Sequence, residues 1–159
     1  MQRTTLFELA WILPSIAIPI GMLVAILVTA FGMQIHVPTD HGTVQVAALA
    51  QTPPFDQPGL VSLGPGRYRL ILVAQTWSFS PSEVRVPVGA EVEIVATSRD
   101  VIHGLAIQGT TVNLMLIPGR VGRTVARFRE PGEYLFVCHE YCGIGHHLMA
   151  GKVIVEARP

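Results

Sequence analysis

Apolar residues follow two different patterns along the chain. From Ala10 to Met33 (AWILPSIAIPIGMLVAILVTAFGM) no charge interrupts 24 consecutive positions. As a helix that run would be roughly 36 Å long, enough to cross a hydrocarbon core of about 30 Å with some tilt. Pro14 and Pro19 would break a soluble helix, but membrane helices tolerate proline. A cleaved signal peptide would have a shorter apolar region, about 7 to 15 residues, with a small-residue site close behind it. The only such site, Ala48-Leu49-Ala50, lies well beyond the run. Residues 1–33 therefore read as a retained membrane anchor.

The second pattern begins after Gly66 and has a period of two. Runs at 68–76, 82–88, 91–98, 124–130, 133–139 and 151–157 are rich in β-branched and aromatic residues and are separated by turn residues. Val84, Val86 and Val88 alternate with Glu83, Arg85 and Pro87, and Val92 and Ile94 oppose Glu91 and Glu93. Such alternation marks strands with one buried face. Short strands at this spacing predict an all-β sandwich or barrel over residues 67–159. Between the two patterns, residues 34–66 hold five prolines and four glycines without a sustained period. That segment reads as a connector with one short element around Val44 to Ala50. His36 and His41, which fall in it, read as solvated or interfacial.

Charge adds an orientation and excludes one partner class. Arg3 is the only basic residue before the apolar run, and none follows until Arg67. Positive-inside reasoning keeps the N-terminus cytoplasmic and places everything after Met33 on the periplasmic or outer face of the cell membrane. The net charge is zero and no basic stripe is present, so nucleic acid is not an expected partner.

The chemistry is concentrated in VCHEYCGIGHHLMAG (137–151), which holds both cysteines of the chain, three of its histidines and Met149. Cys138, Cys142, His146 and Met149 are spaced by four, four and three residues. The strand before this loop aims Cys138 inward, and Gly143 and Gly145 let the backbone curl after Cys142. His103, at the start of another β-like run, supplies a donor from a distant part of the chain. Soft sulfur with imidazole selects copper, zinc or iron–sulfur chemistry. Two thiolates can bridge two copper ions, with His103 and Met149 completing one. His146 and the main-chain carbonyl of Glu140 could complete the other. A zinc site of two cysteines and two histidines leaves Met149 without a role. A disulfide, which the exported compartment permits, leaves His103, His146 and Met149 unexplained.

The stretch from Cys138 to Met149 fits the signature C-x-E-x-C-G-x-x-H-x-x-M of a CuA centre, with His103 in the matching upstream position. The chain resembles subunit II of cytochrome c oxidases, and its single N-terminal helix resembles the small subunit II of the B-type enzymes. AQTWSF, VPVGAEVEI, DVIHG and PGEY strengthen the likeness. The resemblance implies a cupredoxin-like Greek-key β-sandwich behind one transmembrane helix. It implies a dinuclear copper centre on His103, Cys138, Glu140, Cys142, His146 and Met149, and no catalytic residue for oxygen reduction in this chain. It further implies cytochrome c as electron donor, oxidase subunit I as acceptor and partner, and a lipid bilayer around the helix. Many relatives use the carboxylate at the position of Glu140 to hold Mg²⁺ against subunit I, whereas B-type relatives often carry glutamine there. A copper-free docking subunit of a quinol oxidase would not need this ligand set. The CuA domain of a nitrous oxide reductase would need a large further domain.

The remaining candidates have plainer readings. His139 and His147 read as surface or interface histidines. Asp100 reads equally as a turn acid or as a hydrogen-bonding support for the ligand loop. Trp77 reads as a core aromatic at a strand end, although the resemblance suggests a place on the electron-entry route. Met115 reads as core and Met22 as lipid-facing.

Overall fold

The computed structural model describes residues 3–32 and 40–157; His36 lies outside them. The chain forms two compact units, Met1–Val37 and Pro38–Pro159. In the first, helix α1 (Arg3–Leu27) contains Pro14 and Pro19 and runs on as a π-helical turn over Val28–Gly32. The combined helix Arg3–Gly32 is long and apolar enough to cross a membrane. None of its side chains is buried, including Met22.

The second unit is a two-sheet sandwich. Its strands are β1 (Asp40–Thr43), β2 (Gly59–Gly64), β3 (Arg67–Gln75), β4 (Ser78–Ser80), β5 (Glu83–Pro87) and β6 (Glu91–Ser98). They continue with β7 (His103–Ile107), β8 (Asn113–Leu116), β9 (Arg120–Arg127), β10 (Gly132–Val137) and β11 (Ala150–Glu156). One sheet runs β1-β9-β6-β3-β2 with β4 paired to β3, and the other runs β5-β11-β10-β7-β8. The β3–β6 and β5–β11 pairs are parallel and the other strand pairs are antiparallel. This is the all-β sandwich expected from the alternating runs.

The period-two positions meet between the sheets. Val84, Val86, Val92, Ile94, Ala126 and Phe136 are buried in one core, joined by Leu105, Leu114 and Phe128. Phe79 packs edge-on against Phe136 at 5.4 Å between ring centroids.

Residues 40–64 depart from the expectation of a connector. They hold β1, β2 and a 3₁₀ helix over Val46–Gln51, which overlaps the one element expected there. Leu49 and Phe55 of this segment pack on Ile71, Val73, Val95 and Val121 to form a second small core. The sandwich therefore includes residues that composition alone assigned to a linker, because their few apolar side chains cover the other side of β3, β6 and β9. The uncovered part of that sheet carries two cross-strand ion-pair rows, Arg67–Glu91–Arg127 and Arg69–Glu93–Arg123. Exposed pairs of this kind add little individually, but they keep that area polar.

Candidate metal centre

Strand directions bring three segments together at one end of the sandwich. The parallel pair β3 and β6 delivers the turn at 76–77 and the loop at 99–102 to the same end. Strand β7 starts there with His103, and β10 stops there just before Cys138, since Val137 lies opposite Ala106. The loop from Cys138 to Met149 closes onto β11 through a hydrogen bond from Cys138 N–H to the Met149 carbonyl, 3.0 Å.

Six donor atoms converge there. The Cys138 and Cys142 sulfurs lie 3.9 Å apart, and both cysteines are free and buried. His103 places Nδ1 3.8 Å from the Cys138 sulfur, and His146 places Nδ1 3.5 Å from that of Cys142. The thioether of Met149, almost fully buried, is 3.7 Å from the Cys142 sulfur, and the Glu140 carbonyl oxygen is 3.2 Å from that of Cys138. His103, Cys138 and Cys142 form the group of potential metal ligands among the described residues, with their donor atoms within 4.8 Å of one another. All six positions chosen from sequence are thus adjacent.

The donor set fits soft-metal chemistry. Each thiol is flanked by its own imidazole, and two weak donors stand beyond them, which is more sulfur than a tetrahedral Cys₂His₂ site uses. The sulfur separation is almost twice a disulfide bond of about 2.05 Å. Burial, and then the neighbouring Cys138, push the Cys142 thiol up to about 11. Without metal the Cys142 thiol therefore holds its proton at neutral pH, and binding a cation must release it.

Asp100 resolves to the supporting role. Its Oδ1 accepts from His103 Nε2 at 2.8 Å and from Val101 N–H at 2.7 Å. Partial burial opposes its ionisation, but hydrogen bonds from Thr76, His103 and Val101 outweigh that and hold the carboxyl well below the usual range. An ionised Asp100 can only accept, so His103 Nε2 is the donor to it and Nδ1 is the ring nitrogen that faces the sulfurs. His103 is fully buried, so water cannot take over that hydrogen bond.

Trp77 departs from the core reading. It is 48% exposed and adopts a left-handed φ of 68° in the turn after β3. Its main chain hydrogen-bonds the Cys142 sulfur, and its ring lies against Gly143 and Gly145. Gly143, with φ 115°, makes a turn that a side chain would strain. Met115 also leaves the core, since it lies across from Gly104 in the β7–β8 ladder and is half exposed. His139 rests its ring over Gly104, with Nδ1 3.7 Å from a Glu140 carboxylate oxygen. His147 is exposed. Around the donors the surface is apolar: Tyr141, Ile144 and Leu148 are 79%, 86% and 72% exposed. This rim and Thr76 were missed in the sequence, where nothing distinguishes them from ordinary loop residues.

The family model for cytochrome c oxidase subunit II, periplasmic domain, matches residues 63–157. The chain belongs to the cytochrome c oxidase subunit II family. Membership makes it a subunit of a haem–copper oxidase, an oxidoreductase complex. A cytochrome c oxidase subunit 2 of Thermus thermophilus is 36% identical over 115 residues, covering 71% of this chain and 85% of that one. A chain in a cryo-EM structure of a heme-copper terminal oxidase dimer superposes with a TM-score of 0.80 at 38% identity. That match covers 94% of this chain and 99% of the other. The periplasmic domain of subunit II (CoxB) of Bradyrhizobium japonicum matches at a TM-score of 0.52 and 22% identity, over 56% of this chain and 83% of that one. That match supports the fold alone.

Proposed function

We propose that this chain is the electron-entry subunit of a membrane-bound cytochrome c oxidase and holds a dinuclear CuA centre. The ligands are the side chains of His103, Cys138, Cys142, His146 and Met149 and the main-chain carbonyl of Glu140. The observation that carries this reading is the pair of free, buried thiols 3.9 Å apart, each with its own imidazole at 3.5–3.8 Å. When bound, the copper pair supplies one-electron transfer from cytochrome c to the haem of subunit I, where oxygen is reduced.

The residues of this chain prepare that transfer. Asp100 orients His103, and the hydrogen bond from Cys138 N–H to Met149 ties the two ends of the loop together. The core beneath keeps water from the sulfurs, and a stiff, dry ligand cage keeps reorganisation small. Trp77, half exposed and in contact with the loop, stands where a donor's electron would enter. The apolar rim of Tyr141, Ile144 and Leu148 suits a docked cytochrome c. Helix Arg3–Gly32 anchors the chain in the cell membrane with its N-terminus cytoplasmic and the sandwich on the periplasmic or outer face. The Glu140 carboxylate, partly exposed beside His139, is available to Mg²⁺ at the boundary with subunit I.

The deciding experiment is copper loading of the full chain in detergent, followed by metal counting and electron spin resonance. Two coppers per chain sharing one unpaired spin are expected. A single copper, or an unpaired spin localised on one metal, would overturn the assignment.

A further inference from the structure

The parallel pairing of β3 with β6 has a result at the site that the ligand motif does not contain. Ala74 and Ser98 are register partners, and Arg99 N–H donates to the Ala74 carbonyl at 2.9 Å. The two strands therefore end side by side, with Thr76 next to Asp100. The Thr76 main-chain N–H and its Oγ1 both donate to Asp100 Oδ2. The other carboxylate oxygen, Oδ1, serves Val101 N–H and His103 Nε2.

This division matters for the imidazole. A carboxylate held at one end only can rotate and offer either oxygen at varied angles. With Oδ2 held by two donors of one residue, Oδ1 has a single direction in which to meet His103. His103 is buried and has no solvent alternative, so the orientation of its ring follows that of Oδ1. The next residue, Trp77, contacts the opposite half of the site through the Cys142 sulfur and the loop glycines. Residues 76 and 77 thus support both halves of the donor cluster from one turn.

We propose that Thr76 is a positioning residue for the metal centre, acting through Asp100 to hold His103 in the Nε2–H tautomer with Nδ1 directed at the sulfurs. The inference rests on the CuA reading for its purpose, but its geometry concerns only this chain. Carboxylate partners of ligating histidines typically change metal affinity by about 10- to 100-fold. Thr76 acts one step further out, so we place its effect at the lower end, about tenfold.

The test compares Thr76→Val, which keeps the shape and loses the hydroxyl donor, with Thr76→Ser, which restores it. Two readouts are taken on the full chain in detergent. The first is the tautomer of His103 in metal-free protein, from two-bond proton–nitrogen correlations of the ring. The second is the rate of copper loss to a chelator. The parent and Thr76→Ser are expected to show one Nε2–H tautomer. Thr76→Val is expected to lose that single signal and to release copper about tenfold faster. A Thr76→Val protein with an unchanged His103 signal and copper loss within about twofold of the parent would overturn the proposal. So would a Thr76→Ser protein as impaired as Thr76→Val. Should Thr76→Val fail to fold, Thr76→Ala is read against the same criteria. If the parent binds no copper, the CuA reading fails, and the tautomer measurement still decides the role of Thr76.

Discussion

Adding one methyl group at Gly151 should damage the domain more than the same change at Gly145, although both sites look equally crowded. Gly151 lies opposite Phe136 in the β10–β11 ladder. A Cβ there would stand 2.3 Å from Phe136 Cε2, 2.4 Å from Cζ and 2.5 Å from the Ser82 carbonyl oxygen. Neither neighbour can yield. Phe136 is fully buried against Phe79, and the Ser82 carbonyl accepts from Lys152 N–H at 2.9 Å. Overpacking costs about 1–3 kcal/mol, and with a main-chain obstacle we place Gly151→Ala at the top, about 3 kcal/mol. For a domain of this size that lowers the melting temperature by roughly 12 °C. A Cβ at Gly145 would also come within 2.5 Å of its neighbour, here the ring of Trp77. That ring is half exposed and can swing into solvent, so Gly145→Ala should cost less than about 1 kcal/mol. It should instead shift the Trp77 fluorescence, as the indole leaves the Cys142 loop. Scanning calorimetry of the full chain in detergent reads the first quantity, and emission spectra the second. Equal destabilisation by the two variants, or a loss under about 1 kcal/mol for Gly151→Ala, would refute the reasoning that mobility of the neighbour decides the cost.

Cys142→Ser should remove the shared-thiolate centre, because one remaining sulfur cannot bridge two coppers; metal counting should fall below two per chain, and an unchanged visible spectrum would contradict it. Met149→Leu should keep both coppers and raise the reduction potential by roughly 60 mV, about tenfold in the redox equilibrium, since a weak donor to the oxidised form is lost; redox titration checks this, and loss of all copper would give the thioether a structural role instead. Glu140→Gln should abolish the bound-ion resonance of manganese-substituted complex while leaving copper content unchanged; no resonance in the parent complex would end the Mg²⁺ reading. Ile144→Glu should slow oxidation of cytochrome c about tenfold or more, as a charge on an apolar docking rim must be desolvated; stopped-flow kinetics decides, and an unchanged rate would place docking elsewhere.

The ligand set was legible because it is local: five of its six positions fall within twelve residues, and the loop spacing carries them. His103 was legible only through its place in a motif. Of the support around it, Asp100 was read as one of two equal alternatives, but Thr76 was not found, since it reaches Asp100 through strand pairing that leaves no periodic trace. Strands β5 and β10 could be read because one of their faces points to solvent. The edge strand β2 could not, since its burial does not alternate, and neither could β1, whose His41, Gly42 and Thr43 are all exposed. In β6 the alternation ends after Ile94, where Val95, Ala96, Thr97 and Ser98 are all buried. Leu49 and Phe55 pack with Val95 on the far side of the strand, and no local signal announces them. Trp77 was misplaced because a large aromatic residue at a strand end normally points inward. Here a left-handed backbone turns it over two glycines.

The pairing of β11 with β5 joins segments about 70 residues apart in the chain. Contacts of such separation are late to form in folding, since a long stretch must be ordered before they repay its entropy. The loop donors do not wait for that pairing, since Met149 is tied to Cys138 by the local β10–β11 hairpin, whereas His103 joins them only through the pairing of β7 with β10. A chain folded only as far as this hairpin would thus present both thiols with His146 and Met149 but without His103.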